Sequence, residues 1–250
     1  MRKYGLIGYP LGHSFSKSYF AGKFIRENIS GCSYENFPIS DIALFPQLVS
    51  DEPELEGLNV TIPYKSVIFS YIDILDPEAR AIGAVNVLKI KRGEGRTIIY
   101  GYNSDITGIS DSLVPYMGGK VKNALVLGSG GSSLAVCHVL RKFGLNITQV
   151  SRYKRAGIIG YQDISSEILR DTGLIVNTTP LGMFPDTETR PEINYSLLNE
   201  NHILFDLVYN PELTFFLRSG IERGCTVITG LKMLHSQAER AWQIWNDENL

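Results

Sequence analysis

The residues best suited to chemistry begin with Gly128-Ser129-Gly130-Gly131-Ser132-Ser133, which follows an apolar run over 123–127 and precedes a helical pattern from Leu134 to Phe143. A strand that turns into a helix on glycines can bring backbone N–H groups against a pyrophosphate, whose charge sits at the helix N-terminus. Gly128 and Gly130 occupy the turn and close-approach positions, and Ser133 stands where a third Gly or Ala is usual. Alone, the stretch fits either a dinucleotide-binding turn or an ordinary strand–helix connection. The next strand, from Asn146 to Val150, ends on Ser151-Arg152-Tyr153-Lys154-Arg155, where an NAD-binding unit places an acidic residue on the ribose 2′-hydroxyl. Guanidinium forks match phosphate oxygens, and a carboxylate repels them. This loop therefore points to NADP, against the alternative of a solvated basic loop.

A second group of polar residues lies in the first half. Ser14 and Ser16, two apart in an extended loop, can bond one anionic or polyhydroxylated ligand, or serve as cap and turn residues. Asn59 and Thr61 alternate on one side of an expected strand, and Pro63 then suits the first turn of a helix carrying Lys65. Together they outline a site; separately they fit a solvated strand face and a surface lysine. Asn86 interrupts the apolar run Ala84-Val85-Asn86-Val87-Leu88, so it is a satisfied core amide or a ligand contact. Asp105 can cap a helix reaching Leu113.

Elements that would position these groups follow from the pattern. Strands are expected over 3–8, 33–39, 57–62, 84–88 and 98–100, the last two forming a hairpin through Arg92-Gly93-Glu94-Gly95. Beyond a loosening at Pro115-Tyr116-Met117-Gly118-Gly119, near-continuous apolar strands over 125–127, 147–150, 174–176, 203–207 and 227–228 alternate with helical patterns. That is the signature of a parallel sheet covered on both faces. The 174–176 strand runs into Asn177-Thr178-Thr179-Pro180-Leu181-Gly182-Met183 at the carboxyl edge, where ligands of open α/β sheets bind. Leu234, Ala238, Ala241, Trp242 and Trp245 make a packing stripe on a last helix.

At 250 residues, with 44% hydrophobic and 20% charged side chains and a net charge of −2, the chain reads as an α/β globular protein with a small-molecule partner. That balance argues against nucleic acid and membrane surfaces as partners. Cys32, Cys137 and Cys225 form no CxxC pair or disulfide framework, which suits the cytoplasm, and four scattered histidines supply no metal-ligand spacing.

Taken in order, these motifs resemble the shikimate dehydrogenase family along essentially the whole chain. The carriers are Ser14 and Ser16, Asn59 to Lys65, Gly83-Ala84-Val85-Asn86, Asn103-Ser104-Asp105, the glycine turn with Ser151-Arg152, the 177–183 run, Val208-Tyr209-Asn210-Pro211, and Gly230 to Gln237. Lys17, Ile106 and Ser151 depart from the family pattern, which usually has Pro, Gly and Asn there.

The resemblance implies an N-terminal α/β substrate domain over 1–104, joined by the C-terminal helix 232–250, and a Rossmann-type NADP-binding domain over 105–231, with a cleft between them. It implies that Lys65 and Asp105 are the catalytic pair, and that Ser14 and Ser16 hold the substrate carboxylate. Asn59, Thr61, Asn86, Asp105, Tyr209 and Gln237 complete the substrate shell. The cofactor set is Gly128, Ser129, Gly130, Gly131, Ser132, Ser151, Arg152, Arg155, Thr178, Pro180, Met183, Val208 and Gly230. The implied reaction is NADP-dependent, metal-free, reversible reduction of 3-dehydroshikimate to shikimate, by a monomer or homodimer. The alternatives are a quinate or NAD-using sister enzyme, and a non-catalytic NADP-binding regulator on the same fold.

Overall fold

The computed structural model describes residues 1–11, 15–93, 95–119 and 121–249. His13 and Ser14 therefore lie outside the described residues, as does Glu94. The chain divides into two compact units, Met1–Ser104 with Ala238–Leu250, and Asp105–Gln237.

The first unit is built from β1 (Arg2–Gly8), α1 (Phe15–Arg26), β2 (Cys32–Pro38), α2 (Phe45–Asp51), β3 (Leu55–Val60), β4 (Ile74–Leu75), α3 (Pro77–Ile82), β5 (Val87–Gly93) and β6 (Arg96–Tyr102). Its mixed sheet runs β2-β1-β3-β5-β6-β4, with the β3–β5 and β5–β6 pairs antiparallel and the others parallel. Strand alternation sorts the apolar side chains to two faces. Ile7, Leu58, Val60 and Leu88 pack with Phe45 and Ile68 on one, while Tyr4, Leu6, Tyr34 and Val87 pack with Phe20, Ala241 and Trp245 on the other.

The second unit contains α4 (Asp105–Leu113), β7 (Asn123–Leu127), α5 (Gly131–Lys142), β8 (Asn146–Ser151), β9 (Ile158–Gly160), α6 (Ser166–Asp171), β10 (Leu174–Asn177), β11 (Ile203–Asp206), α7 (Phe215–Ile221), β12 (Thr226–Ile228) and the start of α8 (Gly230–Asn246). All its strand pairs are parallel, in the order β12-β11-β10-β7-β8-β9. Counted within the unit this is 3-2-1-4-5-6 reversed, the doubly wound arrangement, whose topological switch point lies between β7 and β10. The apolar strand runs of the sequence become the buried centre: Leu125, Leu127, Val150, Ile175 and Leu204 lie in one core with Phe216 and Leu217.

Local chemistry sets several element ends. Asp76 accepts from the Glu78 and Ala79 N–H groups at the start of α3, with Pro77 in first position, and Gly83 closes that helix at φ 74°. Ser165 and Thr214 cap α6 and α7. Several expectations are corrected, among them the extended loop at Ser16, which is the second residue of α1. The third strand ends at Val60, although the Thr61 N–H extends the ladder to Ile7 O at 2.9 Å. Pro63 and Lys65 lie in a turn rather than a helix, because the Tyr64 N–H closes back on Thr61 O at 2.9 Å and the next helical residues are the short 3₁₀ segment Ile68–Tyr71.

The C-terminal stripe packs as the pattern requires, with Ala238, Ala241 and Trp245 buried. Trp245 stacks on Tyr4 at 4.9 Å, and its Nε1–H donates to Leu88 O at 2.9 Å. A Cβ on Gly57 would collide with the same indole. Replacing Trp245 with Ala removes both packing and bond, and the expected outcome is a loss of about 3–5 kcal/mol of stability, read as a lowered midpoint in denaturant unfolding.

Candidate functional site

In the first unit the strand-end residues are joined through a chain of buried polar groups. Ser16, half-buried near the start of α1, hydrogen-bonds the Tyr34 hydroxyl. Tyr34 donates to Asn59 Oδ1 at 2.8 Å, and Asn59 Nδ2 donates to Asn86 O at 3.4 Å. Asn86 Nδ2 donates to Ser104 Oγ at 3.1 Å, while its Oδ1 accepts the Ser104 N–H at 2.6 Å. Asn86 is thus a satisfied buried amide, and it fixes the residue one peptide bond before Asp105. Asn103 Nδ2, donating to Ala84 O at 2.8 Å, ties the same two segments again.

Lys65 reaches this group through the backbone. Its carbonyl accepts the Val85 N–H at 2.8 Å, and the Val60 N–H donates to Asn86 O at 2.9 Å. The half-buried Lys65 and Thr61 are thereby held beside the Asn59–Asn86 chain of one sheet edge. Lys17, the departure from the family pattern, forms an exposed ion pair with Glu35 at 2.6 Å.

Tyr34 is not legible in the sequence as a site residue. Its place in the buried phase of β2 reads as core, and burial raises its pKa, with the Ser16 bond acting the other way. The phenol therefore stays neutral and donates, so Asn59 is held with its oxygen on Tyr34 and its amide nitrogen toward Asn86 O.

The second unit gathers its residues at the carboxyl ends of β7, β8, β10 and β11. Gly128 adopts φ 126°, and a Cβ there would collide with Thr178 across the switch point. Thr178 is itself pinned by two bonds, from N and Oγ1, to Leu127 O. Gly130 is the residue before α5, in extended backbone with no side-chain cap, and a Cβ on it would meet nothing within 4 Å. Gly131 and Ser132 are the first two helical residues. Open space at an uncapped helix N-terminus is what a pyrophosphate requires.

Ser133 completes the turn where a third small residue is needed. Fully buried, its Oγ donates to Gly130 O at 2.6 Å and accepts from Gln149 Nε2 at 3.2 Å, while the same amide donates to Gly128 O at 2.9 Å. Gln149 is a support that strand alternation alone does not single out. Ser129 and Ser151 hydroxyls meet at 3.2 Å.

Arg152 and Arg155 are exposed beyond Ser151. Lys154 is tied at 2.9 Å to Asp163, a carboxylate absent from the linear reading of the loop because it arrives from a later turn. Two of the three cations thus carry the phosphate-binding argument. Pro180 and Met183 are exposed, Val208 is buried, and Tyr209 is half-buried. Gly230, first residue of α8, has no room for a Cβ against Leu207 O and Val208 O. Asp105 is the buried first residue of α4 rather than a flanking cap, and half-buried Gln237 donates to Leu234 O at 3.0 Å. These last residues, with Tyr209, belong to the second unit, whereas Lys65, Asn59 and Asn86 belong to the first.

Among the described residues, no group of three or more His, Cys, Asp or Glu could hold a metal ion, and no helix is long and apolar enough to cross a membrane.

The strand order and glycine turn define a two-unit α/β protein with a Rossmann-type dinucleotide fold in its second unit. The model of the shikimate dehydrogenase substrate binding domain matches residues 6–88. A shikimate dehydrogenase (NADP(+)) of Methanococcus maripaludis strain C6 is 36% identical over 96% of this chain and 90% of its own length. The crystal structure of a shikimate 5-dehydrogenase from Thermus thermophilus, in complex with NADP(H) and shikimate, superposes with a TM-score of 0.84 at 31% identity, covering 98% of this chain and 94% of that one. The chain belongs to the shikimate dehydrogenase family.

Removing the Tyr34 hydroxyl leaves Asn59 Oδ1 without its donor and frees the amide to turn. Tyr34→Phe is expected to raise the KM for shikimate about 3- to 10-fold while the KM for NADP is unchanged, as measured by initial rates with each substrate varied.

Proposed function

We propose that this chain is an NADP-dependent shikimate dehydrogenase, interconverting 3-dehydroshikimate and shikimate on the route to chorismate and the aromatic amino acids. The observation that carries the reading is the stitched sheet edge of Asn59, Thr61, Lys65 and Asn86, in a chain that also has a glycine turn followed by Ser151 and Arg152. The Methanococcus relative bears that name, and the Thermus structure holds both ligands.

The first unit is the substrate domain and the second the NADP domain. Ser14 and Ser16 bind the substrate carboxylate. Asn59, Thr61, Asn86, Asp105 and Gln237 read the ring hydroxyls, and Tyr209 stands at the ring's far side. The unfilled space at Gly130 and the exposed Arg152 and Arg155 suit the pyrophosphate and 2′-phosphate. Gly128, Ser129, Gly131, Ser132, Ser151, Thr178, Pro180, Met183, Val208 and Gly230 line the same cofactor. NADPH, when bound, supplies the hydride.

Lys65 and Asp105 manage the charge and the proton. As the ring carbonyl is reduced, negative charge grows on its oxygen, and the Lys65 ammonium stabilises that charge and donates the proton. Asp105 orients the ammonium and accepts a bond from the neighbouring hydroxyl. Because Asn86 anchors Ser104, the backbone leading into Asp105 is fixed before substrate arrives. The three cysteines are unpaired thiols, consistent with a cytoplasmic enzyme.

The test is an initial-rate assay of shikimate and quinate oxidation with NADP and with NAD. Activity confined to shikimate with NADP is expected; a preference for quinate or NAD would move the assignment to a sister enzyme, and inactivity in all four combinations would overturn it. In the same assay Lys65→Ala is expected to lower kcat by about 10²- to 10³-fold while shikimate still binds, and a near-normal kcat would remove Lys65 from the chemistry.

A further inference from the structure

Asp206, the last residue of β11, is a fully buried carboxylate outside the groups discussed so far. Its Oδ1 accepts from the Val208 N–H and from Asn177 Nδ2, each at 3.0 Å, and its Oδ2 accepts from Thr214 Oγ1 at 2.6 Å. Each donor stands on a different segment at the carboxyl edge of the sheet. Asn177 ends β10, and its Oδ1 in turn accepts from Thr179 N at 3.0 Å and Thr179 Oγ1 at 2.6 Å, so it shapes the Thr178–Met183 loop. Val208 begins the turn after β11 and packs its backbone against Gly230. Thr214 caps α7 and lies against Gly182 of the first loop.

An apolar strand end does not need a carboxylate, and burying one is costly unless donors converge on it. Burial pushes the Asp206 carboxyl up to about 7, against the lowering effect of the Thr214, Val208 and Asn177 bonds. No cation is bonded to it among the described residues; two neutral side chains and one peptide N–H hold it. The carboxylate is thus placed where it can fix loops and cannot itself meet solvent.

We propose that Asp206 is a positioning residue for the dinucleotide, holding the Thr178–Met183 loop and the Val208 turn in the one arrangement that receives NADPH. The inference rests on the NADP reading of this unit and extends it to a residue that touches no ligand. An amide in its place keeps the shape but replaces one acceptor oxygen with a donor facing Thr214 or Asn177, so the three segments can no longer share one centre.

The experiment is a fluorescence titration of NADPH into the full-length wild type, Asp206→Asn, Thr214→Val and Thr214→Ser, with shikimate KM measured alongside and folding checked by thermal unfolding. The NADPH dissociation constant is expected to rise about tenfold in Asp206→Asn and Thr214→Val. Thr214→Ser, which keeps the hydroxyl, should restore wild-type affinity, and the shikimate KM should move less than twofold throughout. Should Asp206→Asn not fold, the Thr214 pair decides the matter. Unchanged NADPH affinity in Asp206→Asn or Thr214→Val, or equal losses of both ligands, would overturn the assignment. A wild type that binds NADPH but oxidises no shikimate would remove the enzymatic reading and leave the positioning role standing on the titration alone.

Discussion

Polar groups left at the buried ends of strands must find partners, and in this chain that requirement shapes both functional regions. Asn86 sits among valine and leucine and could not remain there unsatisfied. Its side chain closes on Ser104 and its backbone on Val60 and Asn59, so three segments distant in sequence share one hydrogen-bond centre. Asn177 and Asp206 do the same at the other sheet, where two strand ends and a helix cap meet on a single carboxylate. In each case desolvation forces the bonds, and the bonds then decide where the neighbouring loops run.

A rigid support matters because several of the groups assigned to ligands are themselves only half-buried. Thr61, Lys65 and Ser16 have part of their surface in solvent, while the amides and phenol behind them have almost none. Orientation is therefore supplied from behind, by Tyr34 on Asn59 and by Gln149 on the glycine turn, at the modest net gain of individual hydrogen bonds but with little reorganisation left to occur on binding.

The terminal helix secures the first unit through two unlike contacts. Its far end contributes Trp245 against Tyr4 and the empty side-chain position of Gly57. Nearer its middle, Glu239 bonds Lys23 at 2.7 Å and accepts the Tyr19 hydroxyl; burial works to raise its pKa, yet those bonds outweigh it and hold the carboxyl below its ordinary range. Lys23 is itself buried and also pairs with Glu27 at 2.8 Å, so its charge is compensated on both sides. Helix α1, which carries Ser16, is thus held to the same helix that carries Gln237 two residues earlier.

Much of this is written in local pattern. Apolar runs broken by glycine turns dictate the parallel sheet, because strands covered on both faces leave no polar phase, and the positive φ of Gly128 is a property only glycine supplies cheaply. The family motifs identify Asn59, Lys65, Asn86 and Ser151-Arg152 from residue type and order alone. Short or weakly periodic pieces such as β4, β9 and α6 leave no such mark, since their existence depends on a neighbouring strand or core rather than on their own residues. The turn at Pro63 and Lys65 reads as a helix in the sequence because proline suits both, and only the closure of Tyr64 on Thr61 distinguishes them. Tertiary structure alone decided that Tyr34 faces Asn59, that Asp163 neutralises Lys154, and that Asp206 joins β10, β11 and α7. Tyr34 and Asn59, like Asn177 and Asp206, stand far apart along the chain, and nothing in a linear pattern records which distant donor a buried oxygen will meet.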